Sequence, residues 1–241
     1  MTAIAALVAM TLRGLLSRRR AILMLLLVLL PVLVGLLLRI AGGSRDAPEI
    51  LDTLVIRTVL PLVALIVGTA AIGSEVEDGT IVFLVTKPIA RWKIALTKLV
   101  VAAGLTVALV VPPMLLTGAL VGGLGGASLG VAFGFALAAM AGGTAYAFLF
   151  TALGAITSRA LILGLGYTLL WEGVLAGLLE GTRFLSVRQA TLGIASTLSG
   201  ESIGRSTLDG VVAVVILVGV IAASVALTSL ALARFQVRSG D

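Results

Sequence analysis

Apolar residues run along this chain in blocks too long for the core of a soluble domain. The stretches 21–38, 54–73, 99–121, 129–151, 160–179 and 210–233 are almost free of charge. A bilayer core about 30 Å thick needs about 20 apolar residues wound as an α-helix, because lipid offers the backbone no hydrogen-bond partners. The pattern predicts an all-α integral membrane protein with six transmembrane helices. Pro31 predicts a kink in the first span, and Pro112-Pro113 predicts a break in the third. Ahead of the spans, residues 1–20 are amphipathic. Ile4, Leu7, Val8, Leu12, Leu15 and Leu16 follow helical spacing, with Arg13, Ser17 and Arg20 on the far side. With Arg18 and Arg19 they predict a helix lying on the membrane surface. No small-residue cleavage site interrupts the apolar run after Arg20, which argues against a cleaved signal peptide. Residues 1–241 read as one transmembrane domain. Its polar punctuation falls at 39–53, at 75–98, at the uncharged link 122–128, at Arg159, at 180–209 and in the tail after 234.

Composition narrows the chemistry. Sixty per cent of residues are hydrophobic and 12% charged, and mean hydropathy is +1.23. No Cys or His occurs, which removes Cys or His metal sites, Cys nucleophiles and His general bases. No metal-ligating and no catalytic residue is assigned. The net charge is +6. Because the basic residues sit at the edges of apolar runs, they read as orientation signals and contacts to anionic lipid, not as a nucleic-acid surface. With the N-terminus inside, eleven of the seventeen Lys and Arg residues fall on the inner side and six on the outer. Both termini, Arg159 and the 75–98 loop are therefore expected in the cytoplasm, in a cell membrane. The use of 14 Arg against 3 Lys points to a GC-rich bacterial source.

Small residues recur at helical spacing. Gly126, Gly130, Gly134 and Gly142, with Ala138, share one face of the fourth span, and Gly173 and Gly177 recur in the fifth. Such spacing lets backbones approach closely, against another span or another subunit. The glycine-rich link lacks the Gly-Lys-Ser/Thr ending of a P-loop, and no P-loop occurs in the 241 residues. Glu172, beside Trp171, lies inside the fifth span. A carboxylate at the bilayer centre costs about 2.5–3.5 kcal/mol, so it is expected to face a translocation pathway or pair with a cation. Arg57, in the first turn of the second span, is a further pathway candidate, or a snorkelling residue at the outer surface.

The segment 75–98 is the most informative. Asp78-Gly79 ends one helix in the manner of a glycine C-cap. Thr80 can cap a short helix over 81–86. Pro88 stops it and suits the first turn of the next, which Arg91, Lys93 and Lys98 lead into. The result is a short helix between two turns on the cytoplasmic side.

The run Glu75-x-Glu77-x-Gly79-Thr80, followed by apolar residues, Lys87-Pro88-Ile89-x-Arg91 and Lys98, resembles the loop after the second span of ABC type-two permeases. The amphipathic N-terminal helix, the six-span layout and the long outer segment before the last span fit the same family. Trp171-Glu172-Gly173 and the segment from Arg183 to Arg188 resemble one of its subgroups. The resemblance implies that 1–20 is an interface helix. It implies that Glu75, Glu77, Asp78, Gly79, Thr80, Pro88 and Arg91 surround a coupling helix docked on a separate ATPase subunit. It further implies that 180–209 is an outer re-entrant segment. Two permease chains, as a homodimer or heterodimer, would join two ATPase subunits that bind ATP and Mg2+. This chain would need no cofactor of its own and would be no enzyme, exporting a substrate by alternating access. Two other readings stay open on the residues: a secondary transporter driven by an ion gradient, and an acid-based intramembrane enzyme using Glu172.

Overall fold

The computed structural model describes residues 3–41, 47–77, 91–175, 184–200 and 208–234. Among these residues the backbone is helical between short turns, with no strand. Helix α1 spans Ala3–Leu15 and α2 Arg18–Ile40. Next come α3, Ala47–Ile50, a π-helical stretch Leu51–Val59, and α4, Leu60–Glu77. Helix α5 is Arg91–Gly122 and α6 Gly126–Ile156. Helix α7, Ala160–Gly166, passes into a second π-helical stretch, Tyr167–Leu175. Helices α8, Val187–Ser199, and α9, Gly210–Arg234, complete the described chain.

Five of these stretches are long and apolar enough to cross a membrane: Arg18–Ile40, Ala47–Gly73, Trp92–Gly122, Ser128–Ile156 and Gly210–Ala233. The sixth expected span, 160–179, is apolar but shorter in its described part, Ala160–Val174. Three boundaries move from the sequence reading. The helical run that leads into the second span starts at Ala47, ahead of 54, and Asp52 lies inside it, held by an ion pair taken up below. The third span is not broken at Pro112-Pro113; the helix runs through both. Membrane helices tolerate such prolines where packing and neighbouring groups compensate for the missing backbone donors. The link 122–128 shrinks to Gly123–Gly125, where Gly123 takes the left-handed φ of +80° that the tight reversal requires. Helix α2 likewise runs through Pro31.

Helix α6 is the hub, packed on α4, α5, α8 and α9. Two thirds of its apolar span is buried inside the chain, against 22% for α2 and 17% for α9, so those two present their sides to lipid. The α4–α6 crossing needs small residues. A methyl at Gly68 would come within 2.8 Å of Phe150, and one at Gly154 within 3.0 Å of the Thr69 carbonyl. Helix α1 turns Thr11 and Leu15 inward while Met10 stays exposed, in keeping with an amphipathic element against α4 and α5.

Candidate functional site

The chain runs α2 one way, α3–α4 back, then α5, α6 and α7 in alternation. One end of the bundle therefore carries Arg18, Glu77, Arg91 and Ile156, and the other carries Ile40, Ala47, Gly123–Gly125 and the start of α9. Helix α8 enters from this second end, but with its start set deep. Its Thr191 fills the space a methyl on Gly142 would occupy, whereas Leu198 and Ser199 lie against Gly134. At 1.5 Å per residue, Gly142 sits about 24 Å along α6 from Gly126, and Gly134 about 12 Å. The helix thus slopes back toward the end of the bundle and stops at Gly200, whose φ of +71° suits a glycine C-cap.

What fixes the deep start of α8 is a carboxylate. Glu172 is 3% exposed. One of its oxygens accepts from the Tyr167 hydroxyl at 2.7 Å and from the Val187 backbone N–H at 2.9 Å. The other accepts from the Ser186 hydroxyl at 2.5 Å. Ser186 is also the N-cap of α8, since its Oγ accepts the Gln189 N–H at 3.1 Å. Trp171 adds an indole N–H to the Leu185 carbonyl at 3.3 Å. Two consecutive residues of one helix therefore grip Leu185, Ser186 and Val187, where α8 opens.

The π-helical backbone makes this grip possible. Tyr167 and Glu172 are five residues apart, which on an α-helix places them about 140° apart around the axis. The wider i→i+5 register brings them onto one face, and such departures from α-geometry are concentrated at functional sites. The other π stretch, Leu51–Val59, carries the second acidic group of the site. Asp52 pairs with Arg188, the residue after Val187, at 3.6 Å. Burial pushes the Arg188 guanidinium down from its ordinary value, and the Asp52 carboxylate opposes the shift. A guanidinium is the most strongly basic side chain, so it remains the cation of the pair. Beneath the cluster Tyr146 of α6 is fully buried and stacks on Phe150, with ring centroids 5.8 Å apart. Among the described residues, its hydroxyl, Asp52 Oδ1 and Arg188 Nε have no partner within hydrogen-bonding geometry. The site holds ionised and polar groups but, among the described residues, no set of three acidic, Cys or His side chains that would ligate a metal ion.

The residues singled out in the sequence separate into groups. Glu172 and Trp171 come together at the start of α8. Glu172 makes its bonds within its own chain. Arg57 is exposed on the π stretch that holds Asp52, near enough to act electrostatically on the Asp52–Arg188 pair. Gly134 and Gly142 pack on α8, but Gly126 and Gly130 face open space and Gly173 meets only its own helix; Gly177 lies outside the described residues. Of the coupling segment, Glu75 and Glu77 lie in the last turn of α4 and Arg91 opens α5, at one end of the bundle. Asp78, Gly79, Thr80, Pro88 and the helix expected over 81–86 lie outside the described residues. Lys98, close behind, is buried and donates to the Ala71 carbonyl of α4 at 2.7 Å. Sequence reasoning missed Asp52, Tyr146, Tyr167, Ser186 and Arg188. A signal existed for one of them: Ser186-Val-Arg-Gln189 has the spacing of a capping box.

Comparison with known proteins agrees with this architecture. The sequence profile described as ABC-2 family transporter protein matches residues 16–179. No curated protein matched the chain. The match covers most of the chain, including the helix that carries Glu172. The chain therefore belongs to the ABC-2 transporter family, as a multi-pass membrane permease of the ABC transporter class.

Proposed function

We propose that this chain is the membrane subunit of an ATP-driven exporter whose ATPase is a separate protein. The observation that carries the proposal is the match of residues 16–179 to the ABC-2 transporter family. Two copies of the chain, or this chain and a relative, assemble with two ATPase subunits that bind ATP and Mg2+. The chain crosses the cell membrane six times with both termini in the cytoplasm, and Ala160–Val174 begins the shorter fifth crossing. Helix α8 belongs to an outer re-entrant segment, a reading supported by its sloped path beside Gly142 and Gly134.

Alternating access follows from these parts. Closure of the ATPase pair pushes on the segment 75–91, and α4 and α5, antiparallel in chain direction, both run from that segment into the bundle. Movement of α4 is transmitted to α6 at the tight Gly68–Gly154 crossing, and α6 carries α8. Glu172 and the Asp52–Arg188 pair clamp the start of α8 to two different spans, so the outer segment moves with them instead of fraying. In this role Glu172 shapes the outer end of the pathway as a positioning residue.

Charge reversal at the cytoplasmic segment tests the coupling. Exposed ion pairs are worth about 0–1 kcal/mol, so Glu77→Lys or Arg91→Glu should leave insertion intact. Coupling between sites is worth about 1–3 kcal/mol, and its loss should cut transport and the substrate stimulation of ATP hydrolysis roughly 5- to 150-fold. Gly79→Val should be more severe, because a β-branched residue resists the left-handed conformation expected of a glycine C-cap. Wild-type stimulation in all three variants would make the segment a passive loop.

A further inference from the structure

We propose that the arginine-bearing end of the bundle holds the headgroup of one anionic phospholipid. A cleft of about 230 Å³ opens there between the start of α2, the end of α4 and the α6–α7 link. Its polar lining includes Arg20, Thr157 and Ser158, and its apolar flank includes Leu23, Ile66 and Leu161. Among the described residues, no acidic side chain lines it.

Three observations select the occupant. Arg20 is half-buried and has no ion-pair or hydrogen-bond partner among the described residues, and a cation withdrawn from water is costly unless something compensates it. Arg18, Arg19 and Arg159 are exposed around it, so the mouth of the cleft draws anions. Leu23 and Leu161 are 58% and 49% exposed, which continues the cleft onto an apolar surface. A soluble anion would satisfy the arginines and leave that surface bare. A phospholipid satisfies both: its phosphate lies between Arg20 and the Thr157-Ser158 hydroxyls, and an acyl chain follows Leu23 and Leu161. The site lies at the junction of α2, α4 and the start of α7, so the bound lipid would brace α4, which runs into the cytoplasmic segment.

Native mass spectrometry of the full chain provides the test. The protein is released from bilayers of equimolar phosphatidylglycerol and phosphatidylcholine, and the retained lipids are counted. One phosphatidylglycerol should be held in preference. Arg20→Gln should lower its retention about fivefold, the effect of one basic residue at an anionic surface. Arg39→Gln, at the other end of α2, should not. Leu161→Trp, which fills the cleft without touching the charge, should also expel the lipid, and covers the case in which Arg20→Gln fails to insert. Excess soluble glycerol phosphate should leave the lipid in place. Equal retention of the two lipids, unchanged retention in both cleft variants, or displacement by glycerol phosphate would each overturn the proposal.

Discussion

Glu172 accepts three hydrogen bonds in a place where water does not compensate their loss. Replacing it with Leu strands the Tyr167 and Ser186 hydroxyls and the Val187 N–H, at about 1–3 kcal/mol for each buried group left unpaired. Gln keeps one carbonyl oxygen and can still accept from two of them. Thermal unfolding in detergent should therefore rank wild type above Glu172→Gln and both well above Glu172→Leu, and transport should follow the same order. A Leu variant as stable and active as wild type would show that the clamp at α8 is dispensable. Arg188 and Asp52 call for the same logic. Removing one partner of a buried pair leaves an uncompensated charge, at about 3–5 kcal/mol, so Asp52→Ala should be worse than the double change of Asp52→Ala with Arg188→Leu. A double variant no better than the single would remove the pair from the account. The glycines divide in a similar way. An added methyl at Gly142 overlaps Thr191, and Gly142→Ala should lower stability by about 1–3 kcal/mol through overpacking. Gly130 faces open space within the chain, and Gly130→Ala should be neutral or raise stability by up to about 1 kcal/mol. If Gly130→Ala instead disrupts a purified dimer, that face belongs to the second subunit.

At the scale of elements, what the sequence revealed follows from what lipid demands. Long uncharged runs mark spans because an unsatisfied backbone cannot cross hydrocarbon, and the runs beginning at 21, 99, 129 and 210 all lie within long apolar helices. The break expected at Pro112-Pro113 does not occur, because packing decides inside a bundle: α5 runs through both prolines. Charge misled at Asp52, read as loop because a lone carboxylate is costly in lipid. Its partner Arg188 lies far along the chain and could not be paired with it from periodicity. The register at Tyr167–Leu175 was also invisible, since helical-wheel reasoning assumes 3.6 residues per turn and places Tyr167 and Glu172 on different faces. Half of the site was thus legible as an unusual buried acid. The half that explains it, Tyr167, Ser186 and the start of α8, depends on a π-helical backbone and a long-range approach that no local pattern encodes.

For the whole molecule, orientation rests on the distribution of basic residues. The chain has no native Cys, so single Cys probes are unambiguous. In intact cells an impermeant maleimide should label Ser44→Cys and leave Ser158→Cys untouched; labelling at 158 with protection at 44 would invert the protein in the membrane. Orientation in turn decides which end meets an ATPase, and so bears on the central claim that energy enters through a separate subunit. That claim is tested most directly in inside-out vesicles containing the chain and the ATPase that copurifies with it. Uptake of candidate lipid, peptide, drug and polysaccharide substrates is followed with ion gradients collapsed by ionophores. The account predicts uptake that requires both subunits and hydrolysable ATP and is indifferent to the ionophores. Uptake by the chain alone that ionophores abolish would contradict it, and would make the protein an ion-driven carrier.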